Sequence, residues 1–459
     1  MVERMTASIP HDGLPAGSRM WAVLTTMIGV GMASLDTSIA NTALPSIAAD
    51  VHATPAGSIW IVNAYQLALV ATLLPFGALG EIFGYRRVYA VGLAVFTAAS
   101  LVCALSWSLP TLTGARVLQG LGASGMMSVN TALVRFIFPK RMLGRGLGIN
   151  AMTVAVLTAL GPTVAAGILS VAAWPLLFAV NVPFGVAAVV LALRVLPETP
   201  RAARRFDWAS GMLNAAAFGL LVFGIGEIAH SASRFVVLLV LAGAVAAGAA
   251  LVRRQRRLPA PMLPLDLYRR PMFALSSLTS MCSFAAQGLA YVSLPFLFQT
   301  VLGHSAVETG LLLTPWPVMT ALAAPIAGPL SDRFPPALLG GAGLAVLCAG
   351  LVMMAALPAD ATTADIAWRL AVCGLGFGFF QSPNLRAIMS SAPPERSGSA
   401  SGTVATSRLL GQSLGAALVA LCFSLSGQHG PALALGLGAG FAGTACVVSL
   451  SRLLARPGA

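Results

Sequence analysis

One carboxylate, Asp36, stands inside the stretch Gly31-Met-Ala-Ser-Leu-Asp-Thr-Ser-Ile-Ala-Asn-Thr-Ala-Leu-Pro45, whose other side chains are apolar, small or uncharged. The segment around it is long enough to cross a membrane as a helix, with Arg19 and Asp50 marking its two edges. At about 1.5 Å of rise per residue, Asp36 lies ~15 to 20 Å from the far end, at hydrocarbon depth. An ionised carboxylate facing lipid there costs at least ~2.5 kcal/mol, so it must face the bundle interior, a water-filled cavity or a partner. Arg116 is the expected partner, because the fourth apolar segment begins near Pro110 and puts it ~10 Å below the same boundary. A neighbouring cation favours loss of the Asp36 proton and burial favours keeping it, so a modest change of geometry moves the acid between states. A proton-coupled carrier needs such a group, whereas a fixed ion pair joining the first and fourth segments is the structural alternative. Among 14 acidic residues, Asp36 alone lies deep in a span, which predicts coupling near one proton per cycle.

The elements that position this pair follow from composition. The chain has 459 residues, 57% of them hydrophobic and only 9% charged, far from the balance of a soluble globular chain. About fourteen apolar segments, centred near residues 30, 68, 97, 123, 158, 185, 218, 243, 285, 317, 347, 376, 412 and 442, predict an all-α integral membrane protein. The net charge of +13 is read as loop arginine that sets topology, and nucleic acid is not an expected partner. Alternate loops carry clusters such as Arg86-Arg87, Arg253 to Arg257 and Arg269-Arg270, with Lys140 the one lysine; the opposite loops offer only Arg234 and Arg369. That asymmetry predicts both termini in the cytoplasm. The six cysteines all lie in apolar segments without a pairing pattern and are read as packing residues. No metal site or cofactor is expected. Without a GxxxxGK[ST] loop, the chain has nothing to cradle a triphosphate, so an ion gradient is the expected energy source.

Two stretches look alike. Gly77-Ala-Leu-Gly-Glu-Ile-Phe-Gly-Tyr-Arg-Arg87 follows the second segment and Gly328-Pro-Leu-Ser-Asp-Arg-Phe334 follows the tenth, each with an acid and an arginine after a glycine-bearing helix end. The repeat predicts an N-terminal six-helix half over 19–197, two inserted helices over 198–258 and a C-terminal half over 259–454, with short tails at 1–18 and 455–459.

These residues resemble the major facilitator superfamily, and within it the fourteen-span drug/proton antiporter branch. Leu35 to Pro45 is similar to that branch's first-helix signature, Gly77 to Arg87 to the loop motif, Ala115-Arg-Val-Leu-Gln-Gly-Leu-Gly122 to the fourth-helix motif and Leu160-Gly-Pro-Thr-Val-Ala-Ala-Gly167 to the fifth-helix antiporter motif. Trp174, Phe178, Asn181, Pro183, Gly185, Phe206-Asp-Trp208, Pro264 to Tyr268 and Ser391 to Gly402 extend the match. Glu81 stands where the loop motif usually has Asp, and Ala165-Ala166 where the antiporter motif usually has two glycines.

The resemblance implies a multi-pass inner-membrane transporter, not an enzyme, that exports lipophilic, often cationic drugs in exchange for protons, working as a monomer among membrane lipids. Export of an endogenous metabolite, siderophore or antibiotic is the alternative, and a non-transporting membrane receptor is the alternative of another class. Asp36 and Arg116 are the expected coupling residues. Gly77, Gly80, Glu81, Gly84, Arg86 and Arg87 are expected to latch the halves, as are Asp332 and Arg333 in the second half. Gly161 and Pro162 are expected to make the fifth helix bend. Tyr65, Gln66, Gln287, Tyr291, Trp316, Gln381 and Asn384, polar or aromatic residues on inward helices, are the candidate substrate contacts.

Overall fold

A computed structural model describes residues 13–139, 142–202, 206–229, 234–258, 265–358, 360–392 and 397–454. Lys140, Arg141, Arg204, Arg205, Pro264, Arg396 and most of both tails lie outside the described residues, as does the side chain of Asp332.

The described chain is helical throughout. The first half comprises α1 (Ala16–Asp50), α2 (Pro55–Phe83), α3 (Tyr85–Ala104), α4 (Leu109–Ile137), α5 (Leu143–Leu169), α6 (Pro175–Ala179) and α7 (Asn181–Val195). Next come α8 (Trp208–Ala229) and α9 (Arg234–Gln255). The second half comprises α10 (Pro271–Phe296), α11 (Ala306–Leu313), α12 (Pro315–Arg333), α13 (Pro336–Ala355), α14 (Thr363–Ser391), α15 (Ser397–Ser426) and α16 (Gly430–Ser451). Local chemistry starts several of them: Thr54 caps α2 through Gly57 N, and Ser108 and Ser305 form capping boxes with Thr111 and Glu308.

Twelve segments among the described residues are long and apolar enough to cross a membrane. One of them, Gly402–Ser451, holds most of α15 and all of α16, while α4, which carries Arg116, Gln119 and Arg135, is not in the set.

The two halves repeat their packing. A Cβ on Gly92 of α3 would come within 2.8 Å of Gly122 O in α4, and one on Gly343 of α13 within 2.7 Å of Gly376 O in α14. Bare backbone is what lets these helices touch, where no hydrophobic drive separates helix contact from lipid contact. Separate apolar clusters fill each half, around Tyr89, Phe96 and Met126 in the first and around Leu347, Phe377 and Leu435 in the second. A third cluster lies on the seam and joins Ile39, Leu44 and Ile47 of α1 to Val292 and Phe296 of α10 and Phe423 of α15.

Hydrogen bonds fix the relative direction of the halves. Gln299, in the π-turn Leu297–Val301 that ends α10, donates to Thr42 O at 3.2 Å and accepts from Ser46 at 3.1 Å. The late part of α1 therefore meets the end of α10. Arg452, just past α16, donates to Ser276 near the start of α10 at 3.0 Å. Both ends of the described chain thus lie at one end of the bundle.

Inserted helix α8 docks through a proline. Pro75 in α2 cannot donate to Ala71 O, and Asn214 of α8 takes that carbonyl instead, at 2.7 Å. Asp207 ahead of α8 pairs with Arg254 of α9 at 2.8 Å, and Gln255 donates to Ser210 at 2.7 Å.

Candidate functional site: a buried ion pair beside a central cavity

Asp36 and Arg116 meet in the first half, 2% and 0% exposed. Arg116 Nη1 donates to Asp36 Oδ2 at 2.5 Å. Gln119 lies three residues beyond Arg116, on the same face of α4. Its Nε2 donates to Asp36 Oδ1 at 2.8 Å and to Ser100 Oγ at 2.9 Å, while its Oε1 accepts from Arg116 Nη1 at 2.6 Å. Asn181, the first residue of α7, adds a third donor to Asp36, at 3.2 Å. Three donors thus converge on the two oxygens of Asp36. Arg116 Nε reaches across to Ile61 O of α2 at 3.1 Å. Four helices therefore converge on one ion pair, which suits the expense of several kcal/mol per ion for taking such charges out of water.

A cavity of about 70 Å3 lies next to this pair, on the seam between the halves. Its walls come from α1 (Ser34, Thr37, Asn41), α2 (Tyr65, Gln66), α10 (Tyr291) and α15 (Arg408, Gln412). Tyr65 belongs to both sites: its ring lies under the Arg116 guanidinium, 4.3 Å from Cζ to centroid, and also forms cavity wall.

At the bundle end opposite both ends of the described chain, α5 meets α1 and the second half. Pro162 leaves Thr158 O without its helical donor, and the Ser38 hydroxyl of α1 supplies one at 3.1 Å. Thr163 and Thr314 share a hydrogen bond of 3.0 Å, and Gly310 of α11 packs against Pro162 O. Gly161 and Pro162 thus sit where α5 meets both α1 and the second half.

The loop residues are placed differently from the expected latch between halves. Gly84 takes φ +95° and joins α2 to α3. Arg86 contacts Leu193 O and Glu198, 3.8 Å away, and Tyr85 N donates to Thr199 at 2.9 Å, partners in the first half and at the start of the segment that leads to α8 and not in the second half. Gly80 packs against Val129 and Tyr85, again in the same half. Gly77 approaches Ser128 of α4, Glu81 O accepts from Ala202 N at 2.7 Å, and Arg87 and Arg333 are exposed.

Of the candidate substrate contacts, Tyr65, Gln66 and Tyr291 line the cavity. Gln287 stands behind it, accepting from Gln412 at 3.1 Å, and Trp316 packs edge-on against Tyr291 at 5.1 Å. Gln381 is exposed and lies off the cavity wall. Asn384 is held elsewhere, accepting from Arg452 at 2.9 Å and donating to Ser276 O at 3.2 Å. The assignment of arginine to loops needs correction at Arg408, which lies inside α15 on the cavity wall. Its signal was present in the sequence, a charged residue within about one turn of the centre of an apolar segment. Gln119, also not anticipated, was legible only as the residue one turn from Arg116.

A membrane bundle of two similarly packed halves around a seam cavity, with a sealed ion pair in one half, is the architecture of a secondary transporter. Residues 26–416 match the Major Facilitator Superfamily profile, and the chain belongs to that family. It is 54% identical over 97% of its length to "Uncharacterized transporter YebQ" of Escherichia coli K12, covering 98% of that protein. It is 32% identical to the riboflavin transporter RibZ of Clostridioides difficile, over 88% of this chain and 89% of the other. With the tetracenomycin C resistance and export protein of Streptomyces glaucescens it shares 34% identity, over 90% of this chain and 77% of the other. A crystal structure of a bacterial homolog of the human lysosomal transporter Spinster, inward-facing and unoccupied, shares the fold: TM-score 0.69, 14% identity, 97% of this chain and 100% of that one. The protein is a multi-pass membrane transporter of small molecules and not an enzyme. The receptor alternative has no counterpart among these relatives.

Proposed function

We propose that the protein exports lipophilic small molecules from a bacterial cell in exchange for protons, with Asp36 as the proton-carrying group and Arg116 as the cation that governs it. The observation that carries this reading is the contact between the ion pair and the cavity through Tyr65. A cargo pressing on the Tyr65 ring moves the surface on which the Arg116 guanidinium rests, and with it the donor that Arg116 gives to Asp36. A purely structural pair needs no such link to the cavity.

In this reading the chain crosses the inner membrane fourteen times, α4, α15 and α16 each counting as one crossing, and both termini face the cytoplasm. Proton entry to Asp36 weakens its hold on Arg116 and biases the halves toward the other orientation. One buried acid gives about one proton per cycle. The arginine-rich loops rest on anionic lipid and the monomer is the working unit. The resistance and export relative supports outward transport of drug-like compounds. The expectation of cationic cargo is not carried over, because the charged side chain on the cavity wall is itself a cation.

Everted membrane vesicles energised by a proton gradient test the reading. Addition of a transported compound releases protons in the wild type and not in Asp36→Asn. Gradient-powered export that survives Asp36→Asn overturns it.

A further inference from the structure

The cavity wall holds an uncompensated charge. Arg408 is partly buried, its Nε is enclosed without a hydrogen-bond partner, and no carboxylate lines the cavity among the described residues. The nearest buried acid, Asp36, has its oxygens taken by Arg116, Gln119 and Asn181 and does not reach the wall. A guanidinium kept in low dielectric without an anion is costly, and buried charges are ordinarily paired. At the two other buried arginines the protein provides partners: Arg116 has its acid, and Arg452 has Ser276, Asn384 and Ser449. Arg408 is left for something else.

We propose that the cavity recognises an organic anion: Arg408 takes the acidic group (carboxylate, sulfonate or phenolate) of an aromatic, lipophilic cargo. The proposal names the cargo class for the transporter reading above and rests on it. The remaining chemistry of the wall agrees. Gln66 Oε1 and Asn41 Oδ1 are enclosed acceptors without donors, suited to hydroxyl or N–H groups of a cargo. Gln412, one turn beyond Arg408 on α15, offers a side-chain amide beside it. Tyr65 and Tyr291 present aromatic surface from opposite halves. The planar fork of arginine grips two oxygens at once, which makes it a better anion clamp than a point charge. Both cations of the site, Arg116 and Arg408, then flank Tyr65 and are neutralised in different ways, one by the protein and one by the cargo.

The test compares two xanthene dyes, fluorescein as the anion and rhodamine 6G as the cation, by fluorescence anisotropy on the protein in nanodiscs of zwitterionic lipid, with empty nanodiscs subtracted. Wild type binds fluorescein at least about tenfold more tightly than rhodamine 6G. Arg408→Gln loses at least about tenfold in fluorescein affinity and leaves rhodamine 6G within about twofold, and Arg408→Lys, which keeps the charge without the fork, keeps the preference for fluorescein at reduced affinity. If Arg408→Gln does not fold, the dye preference of the wild type and the Arg408→Lys result still decide. Equal or tighter binding of rhodamine 6G, absence of fluorescein binding, or an unchanged fluorescein affinity in Arg408→Gln overturns the proposal. Dye preference does not depend on proton coupling: if Asp36→Asn keeps the preference but vesicles show no proton exchange in the wild type, the coupling reading fails and the anion site stands. If protons are exchanged and the preference is absent, the reverse holds.

Discussion

The Arg116 guanidinium rests on the ring of Tyr65, with Cζ 4.3 Å from the centroid, and Tyr65 also forms part of the wall of the central cavity. One side chain therefore separates a sealed charge pair from the space a cargo would fill. Aromatic rings hold cations by their quadrupole with about 2 kcal/mol when both are desolvated, so the contact is strong enough to transmit a displacement.

Removing the aromatic ring should uncouple the two sites. Tyr65→Phe keeps the ring and loses the hydroxyl contacts to Ala33 O, 3.4 Å, and to Thr37, so transport should stay within a few-fold. Tyr65→Leu should reduce proton-coupled transport by about tenfold beyond whatever it takes from cargo binding, the loss corresponding to a contact of ~1–2 kcal/mol. Paired binding and flux assays on the two variants check this.

Breaking the ion pair should separate coupling from stability. Arg116→Ala leaves Asp36 buried without its cation, a change of ~3–5 kcal/mol, and should lower the thermal transition sharply. Asp36→Asn keeps the volume but turns one of two occupied acceptors into a donor and leaves Arg116 unpaired, so it too should lower the thermal transition, while in the folded protein cargo exchange at equilibrium should persist and gradient-driven accumulation disappear. Counterflow and uphill transport in the same proteoliposomes distinguish the two.

Gly310 should control closure of the end away from the termini. A Cβ there would meet Pro162 O and stand 2.8 Å from the Ala166 Cβ. Gly310→Leu should hold that end open, and the labelling rate of a cysteine introduced at the buried cavity residue Asn41 should rise at least several-fold over the Gly310 parent.

Asn214 should anchor the inserted pair α8 and α9. Asn214→Leu strips the donor from Ala71 O, which Pro75 leaves without a helical partner, and a buried carbonyl without a donor costs ~1–3 kcal/mol. Thermal unfolding of the variant in detergent should report that loss, and Pro75→Ala in the same chain should recover part of it by restoring the helical N–H.

The bridge between Asp207 and Arg254 should be felt only in acid. Hydrogen bonding from Arg254 holds the Asp207 carboxyl at about 2, below its ordinary 3.8. Because the folded value is the lower one, the bridge stabilises the fold above the ordinary value, and the contribution fades as the pH falls from about 4 toward 2. The pair is partly exposed, so Asp207→Asn should cost no more than ~0.2–1 kcal/mol near neutrality and approach nothing at the acid end, read as the difference in midpoint against pH.

Depth was legible along the chain and direction around each helix was not. Composition and apolar segment length define a helical membrane protein, and residue counting from the span edges places Asp36 and Arg116 at comparable depth, because a helix converts sequence distance into height at a constant rate. Glycine-bearing helix ends at matching positions suggest two halves before any packing is seen. The same counting could not tell that Gln381 is exposed, that Asn384 belongs to Arg452, or that Arg408 points at a cavity without a carboxylate. Those are matters of rotation about the helix axis. A membrane helix is apolar nearly all round, so its sequence carries little sign of which face meets protein and which meets lipid. Only the packing of the helices turns Gln119 and Asn181 toward Asp36, lays Tyr65 between the ion pair and the cavity, and leaves Arg408 without a counter-ion.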